Sequence, residues 1–133
     1  MALLGCLLVD GEMMGSVVPI VRPEDLYRTS HRRLYEVCLA IYERGEPVDA
    51  ILALRECERQ GSLADIGGQE YLNTLIGSVA GAVNAEHYAK IVREKAVARG
   101  VIRVAAELQR AAYDEEGRGD ELLELAEHRV FEL

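Results

Sequence analysis

The residues that could do chemistry are few in this sequence, and their spacing does not assemble a catalytic or metal-binding set. His31, His87 and His128 have no partner three or four residues away that would complete a zinc motif such as HExxH. We interpret all three as structural or surface residues. The sequence also has no GxxxxGK[ST] segment, so it predicts no phosphate-binding loop. We therefore expect neither nucleotide hydrolysis nor a cofactor.

The charged residues are numerous, but they are scattered along predicted helices. Carboxylates in that distribution are typical of solvated faces rather than of an acid–base pair. Residues 118–120 spell an adhesion-like Arg-Gly-Asp tripeptide, which we interpret as a turn and helix cap. Lys95, Arg99 and Arg103 recur every four residues and predict a basic stripe along one helix. A solvated face, the acidic helix of the same chain and an acidic partner all remain open explanations of that stripe.

The three cysteines, Cys6, Cys38 and Cys57, are odd in number, widely spaced and set among apolar residues. This usage predicts free thiols in or near the core of a cytoplasmic protein. Residues 3–6 look like a lipoprotein cleavage box, but no basic segment and no long apolar run accompany them. No stretch approaches the ~18 apolar residues that a membrane helix needs, so we expect no membrane partner.

Composition favours a single helical domain that binds other proteins. The 133 residues are 50% hydrophobic and 29% charged but only 5% aromatic, so the core must consist mainly of aliphatic side chains. Such a core favours helix packing. The net charge of −8 argues against strong direct binding of nucleic acid, which needs neutralising Lys and Arg.

Residues 85–112 organise the predicted fold. At ~1.5 Å per residue a continuous helix here would run about 42 Å, which a small domain cannot bury alone. From Val97 onwards, apolar residues recur at spacings of four and three, as in a coiled-coil seam. These residues are Val97, Val101, Val104, Leu108 and Ala111, and Ile102, Ala105 and Ala112 widen the apolar surface. The breadth predicts contact on two sides, with a second helix of the chain and with another molecule.

Residues 121–133 supply the second helix. Its apolar residues Leu123, Ala126, Val130 and Leu133 repeat at three, four and three. Residues 85–112 hold six basic and three acidic side chains, whereas residues 114–133 hold eight acidic and two basic ones. These opposite charges predict an antiparallel hairpin that turns through residues 113–119. We predict that it self-associates through Val97, Val101, Val104, Leu108, Leu123, Ala126 and Val130.

Before the hairpin, the sequence predicts five or six short helices and no strand. The helix of residues 31–44 is the expected core helix, capped by Thr29 or Ser30 and ended by Gly45. Asp49 begins a further helix that ends at Gly61. Inward positions expected on that helix are Ile51, Leu52, Leu54 and Cys57. Residues 69–76 form another helix, and a loop of residues 77–83 precedes Asn84, the expected cap of the long helix.

The predicted fold is all-α, with a small multi-helix globular head followed by an antiparallel helical hairpin. We place the head in residues 1–96 and the hairpin in residues 97–133. One continuous helix, residues 85–112, belongs to both. Gly100 is a candidate kink in it, because a glycine inside a helix costs ~1 kcal/mol relative to Ala.

Four segments, in order and at matching spacing, closely resemble the N-terminal domain of the bacterial replicative DnaB-type DNA helicase. They are Pro23-Glu24-Asp25-Leu26-Tyr27-Arg28 with His31, Arg44-Gly45-Glu46-Pro47-Val48-Asp49, Gly67-Gly68 with Tyr71-Leu72, and Asn84 with Tyr88-Ala89-Lys90-Ile91-Val92-Arg93-Glu94-Lys95. The resemblance covers nearly the whole chain. It implies an ATP-dependent helicase parent whose motor domain is absent from this sequence.

The resemblance also implies the partners. In the family, hairpins pair into dimers, three dimers form the collar of a hexameric ring, and the collar docks primase. The positions that match the family's contacts with the C-terminal helicase-binding domain of primase are Tyr71, Ile102 and Leu108. A helicase loader is a further candidate partner. The alternative is that these three residues are simply core or dimer contacts and do not bind primase.

Two other classes of protein compete with this interpretation. A small helical DNA-binding regulator would need a basic recognition helix, and only the basic stripe on the long helix could serve, with apolar flanks. A small enzyme would need a nucleophile with a base, or a metal set, and the sequence offers neither.

Overall fold

The structure, a computed structural model, describes residues 2–78, 84–114 and 119–133, and within these ranges every regular element is helical. The α-helices are α1 (Ala2–Val9), α2 (Met14–Val17), α3 (Thr29–Glu43), α4 (Ala50–Gln60), α5 (Gly68–Gly77), α6 (Ala85–Tyr113) and α7 (Gly119–Phe131). Single 3-10 turns occupy Gly11–Met13 and Pro23–Asp25. The predicted all-α class is confirmed. Most of the two loops expected at residues 77–83 and 113–119 lies outside the described residues.

The chain forms two compact units, with the division between Arg93 and Glu94, so that α6 contributes residues to both. At the centre of the first unit is α1. Six of its eight residues, Leu3 to Leu8, are buried, because a helix that is apolar on all sides must be enclosed. It packs against α3, α4 and α5. The predicted core helix, α3, buries six of its fifteen residues, so α1 is the more completely enclosed of the two.

Local capping residues set several helix ends as the sequence predicted. The Asp49 carboxylate accepts a hydrogen bond from the Leu52 amide at 2.8 Å and begins α4, and Gly61 ends it in the left-handed conformation at φ 69°. Asn84 Oδ1 accepts from the His87 amide at 3.1 Å at the start of α6. The cap predicted at Thr29 or Ser30 is wrong. Thr29 is already helical, and Arg28 is the residue that precedes the helix.

One inward position predicted on α4 is also wrong. Ile51 is 65% exposed, whereas Ala53 and Cys57 are fully buried and Glu56 is 4% exposed. At about 100° per residue, Ile51 lies roughly 120° around the helix from Cys57. The apolar side chain at position 51 therefore faces solvent, and the face centred on Ala53, Glu56 and Cys57 packs inward.

The second unit is an antiparallel hairpin of α6 and α7. Arg129 Nε lies 3.4 Å from Glu107 Oε2, and a Cβ placed on Gly100 would lie 2.9 Å from Leu133 Cδ2. The C-terminal end of α7 is therefore beside the earlier part of α6, as an antiparallel pair requires. The helix α6 is continuous through Gly100, where Leu133 packs closely, and a kink at Gly100 stays a prediction.

Candidate partner-binding surfaces

The hairpin separates the predicted seam residues into a buried set and an exposed set. Val104 and Ala111 are buried, at 5% and 7% exposure, and Val104 lies beside Arg129 and Leu133 of α7. By contrast, Val97 and Val101 are 39% and 50% exposed. In α7, Leu123 and Val130 are 68% and 58% exposed. Leu108 of α6 and Ala126 of α7 are half-buried.

The exposed residues lie on one side of the hairpin. On α6, Val97, Leu108 and Val101 lie about 20°, 40° and 60° around the axis from Val104, all in one rotational sense. On α7, Val130 and Leu123 lie about 40° and 60° from Ala126 in that same sense. In an antiparallel pair of helices, turning in the same rotational sense about each helix axis leads from the buried contact toward the same side of the pair. We call the exposed Val97, Val101, Leu123 and Val130, together with the half-buried Leu108 and Ala126 at their inner edge, the open face.

Leu123 and Val130, which we predicted to take part in self-association, do not form the buried contact with α6, and their role in self-association stays a prediction. The less exposed positions of α7 are instead Leu122, Leu125, Ala126, Arg129 and Leu133. These residues are spaced three, one, three and four apart, which marks the inward face of the helix. The two patterns differ by a rotation of less than a quarter turn, so Leu123 and Val130 lie at the edge of the buried face.

Ile102 is separate from the open face. Its side chain is 70% exposed, and its position is about 160° around α6 from Val104. A substitution there leaves the packing of the hairpin untouched. Lys95 and Arg103 of the predicted basic stripe are exposed as well, whereas Arg99 is half-buried and makes a further interaction.

Tyr71, the third primase-contact candidate, belongs to the first unit, on α5. Its hydroxyl forms a hydrogen bond with Nε2 of His31 on α3, and the two rings stack with centroids 6.0 Å apart and planes at 10°. Tyr71 is half-buried, and His31 is 7% exposed. Burial lowers the pKa of His31, which keeps the imidazole neutral at pH 7.

The residue before α5 shapes the surroundings of Tyr71. Gly67 has a φ of 100°, and a Cβ there would lie 2.9 Å from Tyr71 Cβ and 3.0 Å from Tyr71 Cγ. Real side chains essentially never approach so closely, so only glycine fits beneath the ring. The sequence identified Gly67 as a break but gave no sign of its contact with Tyr71.

Two buried carboxylates tie the first unit together, and the sequence did not indicate either role. Asp25, 4% exposed, accepts hydrogen bonds from the Arg22 amide at 2.9 Å and from Arg93 Nη1 of α6 at 3.0 Å. The second carboxylate, Glu56, is also 4% exposed. Hydrogen bonds satisfy both carboxylates, as buried charges require.

The Glu56 carboxylate of α4 accepts hydrogen bonds from three side chains. Arg59 Nη2 donates at 2.6 Å, Gln60 Nε2 at 2.8 Å and Arg44 Nη1 at 3.0 Å. Hydrogen bonds from Arg59, then from Arg44 and Gln60, lower the pKa of Glu56 from 4.5 to about 2. Because Arg44 follows the last residue of α3, the group joins the end of α3 to α4.

Within the described ranges, the side chains that could ligate a metal are dispersed and the thiols are buried. Among the described residues, no three His, Cys, Asp or Glu side chains are placed to hold a metal ion. Cys6, Cys38 and Cys57 are buried free thiols, as predicted, and burial raises the pKa of Cys38 to about 12. No helix in the described ranges is long and apolar enough to cross a membrane.

Comparison with known proteins matches this architecture to one family. The model of the DnaB-like helicase N terminal domain matches residues 1–94. Replicative DNA helicase DnaB of Geobacillus stearothermophilus is 36% identical over 132 residues, which cover 99% of this chain and 29% of that protein. Replicative DNA helicase DnaC of Bacillus subtilis (strain 168) is 35% identical over 132 residues, with the same coverage of 99% and 29%.

A solved structure shows the same fold. The crystal structure of the N-terminal domain of DnaB helicase from Mycobacterium tuberculosis matches with a TM-score of 0.88 and 36% identity. The match covers 99% of this chain and 93% of that one. The chain thus corresponds to nearly all of that domain, but it spans less than a third of the length of the two curated relatives.

Proposed function

Because the chain belongs to the family of DnaB-like helicase N-terminal domains, we propose that it is a non-catalytic interaction and oligomerisation domain of a replicative DNA helicase. In this role hairpins pair into dimers, and dimers assemble into the collar of a hexameric ring. The collar docks primase during DNA replication. Nucleotide hydrolysis and movement along DNA are assigned to the part of the helicase that this chain does not match.

The observation that carries the proposal is the open face of the hairpin. Val97, Val101, Leu123 and Val130 are 39% to 68% exposed and lie on one side of two adjacent helices. Fully burying one such side chain is worth about 1.5–3 kcal/mol. Exposed apolar side chains gathered on one side of a domain are typical of an interface.

A second copy of the same hairpin is the occupant that best fits this face. Two helices laid against two identical helices give a four-helix arrangement, a common way to bury such faces. A two-fold pairing places the same patch on both partners, so one apolar face suffices. The net charge of −8 disfavours nucleic acid as the alternative occupant.

Tyr71 of the first unit and Ile102 of the second are each proposed to contact primase. Both offer apolar area to a partner, Ile102 as a 70% exposed side chain and Tyr71 as a half-buried ring. Aromatic anchors of this kind carry much of the binding energy of interfaces. Leu108 belongs to the open face, and we expect it to affect primase binding only through the dimer. A helicase loader is a further candidate partner.

Titration calorimetry with the helicase-binding domain of the cognate primase tests the docking role. Tyr71→Ala and Ile102→Asn should each weaken binding while helicity and oligomeric mass stay unchanged. Ile51→Asn is the matched control, because Ile51 is 65% exposed on a different helix. Undiminished affinity in both variants would remove these residues from the surface, and no binding by the wild type would contradict primase docking itself.

Nucleotide provides the complementary test of the non-catalytic role. The purified chain should neither bind ATP in calorimetry nor release phosphate in the presence of magnesium. A magnesium-dependent ATPase activity that copurifies with the homogeneous protein would contradict the proposal.

A further inference from the structure

Tyr71 is held at both ends of its side chain. At the far end, its hydroxyl meets Nε2 of His31, which lies 40 residues earlier in the sequence. At the near end, its Cβ and Cγ pack so closely over Gly67 that the Cβ of any other residue at position 67 would clash with them. The ring is therefore fixed in one orientation by two contacts that do not depend on each other.

His31 is placed so that it can hold the ring rigidly. Its side chain is only 7% exposed, so its own rotamer is constrained by the packing around the start of α3. Its ring lies almost parallel to that of Tyr71, at 10°. A neutral imidazole has one donor and one acceptor nitrogen, and with either tautomer the hydroxyl can complement Nε2. The hydrogen bond is therefore kept in both tautomers.

We propose that His31 is a positioning residue of the docking surface, which holds the Tyr71 ring in its binding orientation before a partner arrives. The inference rests on the proposed function, because it assumes that Tyr71 contacts primase. It adds a residue that itself contributes almost no surface to the contact. His31 acts through Tyr71, and it links the first turns of α3 and α5.

The physical reason is the entropy of binding. Immobilising a free side chain on association costs free energy, and a ring that is already fixed avoids most of that cost. If the hydrogen bond is lost, the ring can rotate away from its binding orientation. Binding then weakens even though every apolar contact can still form. A purely structural tie between α3 and α5 would instead change stability and leave affinity alone.

A double-mutant cycle separates these two roles. His31→Phe keeps an aromatic ring for stacking and removes the hydrogen bond, and Tyr71→Phe removes only the hydroxyl. Each should weaken binding of the primase helicase-binding domain by about five-fold, the cost of immobilising one side chain on association. The double variant should be no weaker than either single one, because both remove the same interaction. His87→Phe, at an exposed histidine of α6, is the control and should bind like the wild type.

Ring-proton NMR of Tyr71 supplies a readout that does not depend on the partner. In the free protein, the Tyr71 resonances should shift and its ring should flip faster in His31→Phe than in the wild type. If the wild type binds and His31→Phe binds equally well, the positioning role is wrong and primase docking stands. Additive losses in the double variant also contradict the positioning role. If the wild type does not bind primase, the docking proposal fails, and the inference fails with it.

Discussion

Arg129 Nε of α7 lies 3.4 Å from Glu107 Oε2 of α6, and this ion pair marks the register of the hairpin. Both side chains are about two-fifths exposed, at 42% and 41%, so the pair itself adds little stability. Its consequence is geometric. With Glu107 opposite Arg129, Val104 lies beneath the end of α7 and Val101 lies at the open edge. The same apolar sequence pattern therefore supplies both the buried contact between the two helices and the exposed side chains of the open face.

Val104 should stabilise the hairpin, and Ile102 should not. Val104→Ala removes two methyl groups from a side chain that is 5% exposed and should lower the free energy of unfolding by about 2 kcal/mol. Ile102→Ala changes a side chain that is 70% exposed and should cost well under half as much. Urea denaturation followed by circular dichroism gives both values. Equal losses in the two variants would mean that the inward face of α6 is misassigned.

Glu56 should make the first unit sensitive to acid. Its folded-state pKa of about 2 lies below the ordinary value of 4.5, so its ion-pair network stabilises the fold fully above about pH 4.5. That contribution is lost as the pH falls from 4.5 toward 2. In Glu56→Gln the urea midpoint should be lower at neutral pH and should change less over this window. Glu58→Gln, at an exposed carboxylate of the same helix, should follow the wild type, and an unchanged slope in Glu56→Gln would contradict the role given to Glu56.

Gly67 and Gly68 should respond differently to substitution by alanine. Both have positive φ, 100° and 78°, so each variant carries backbone strain of roughly 1–2 kcal/mol. Only at Gly67 does the new Cβ also meet Tyr71, at 2.9 Å, whereas nothing lies within 4 Å of it at Gly68. Gly67→Ala should therefore lower the melting temperature further and shift the Tyr71 ring resonances. Equal melting temperatures with unmoved Tyr71 resonances would show that the contact is unimportant.

Local chemistry made much of the fold predictable from the sequence. Asp49, Gly61 and Asn84 set helix ends through hydrogen bonds or backbone conformations that span at most four residues. Such signals can be recognised without knowing the rest of the fold. The heptad-like spacing of α6 likewise indicated its length and its apolar side.

The errors arose where two neighbouring positions on a helix compete for the inside. Periodicity alone could not decide whether Leu123 or Leu122 faces α6, because adjacent residues differ by only about 100° around the axis. Ile51 is apolar but exposed, because it lies roughly 120° around α4 from the buried Cys57. Contacts across long separations, such as His31 with Tyr71, had no local signal at all. The structure was needed to reveal that pair.

The mass of the chain in solution, measured by analytical ultracentrifugation across a concentration series, tests self-association through the open face most directly. Val101→Asp is the decisive variant, because its carboxylate is solvated in the monomer but buried in a dimer. Ile51→Asp is the control, with an exposed isoleucine outside the hairpin. The wild type and the control should rise from 14.7 kDa to at least a dimer as concentration increases, while Val101→Asp stays monomeric. A wild type that remains at 14.7 kDa at high concentration, or a Val101→Asp variant that associates equally well, would contradict it.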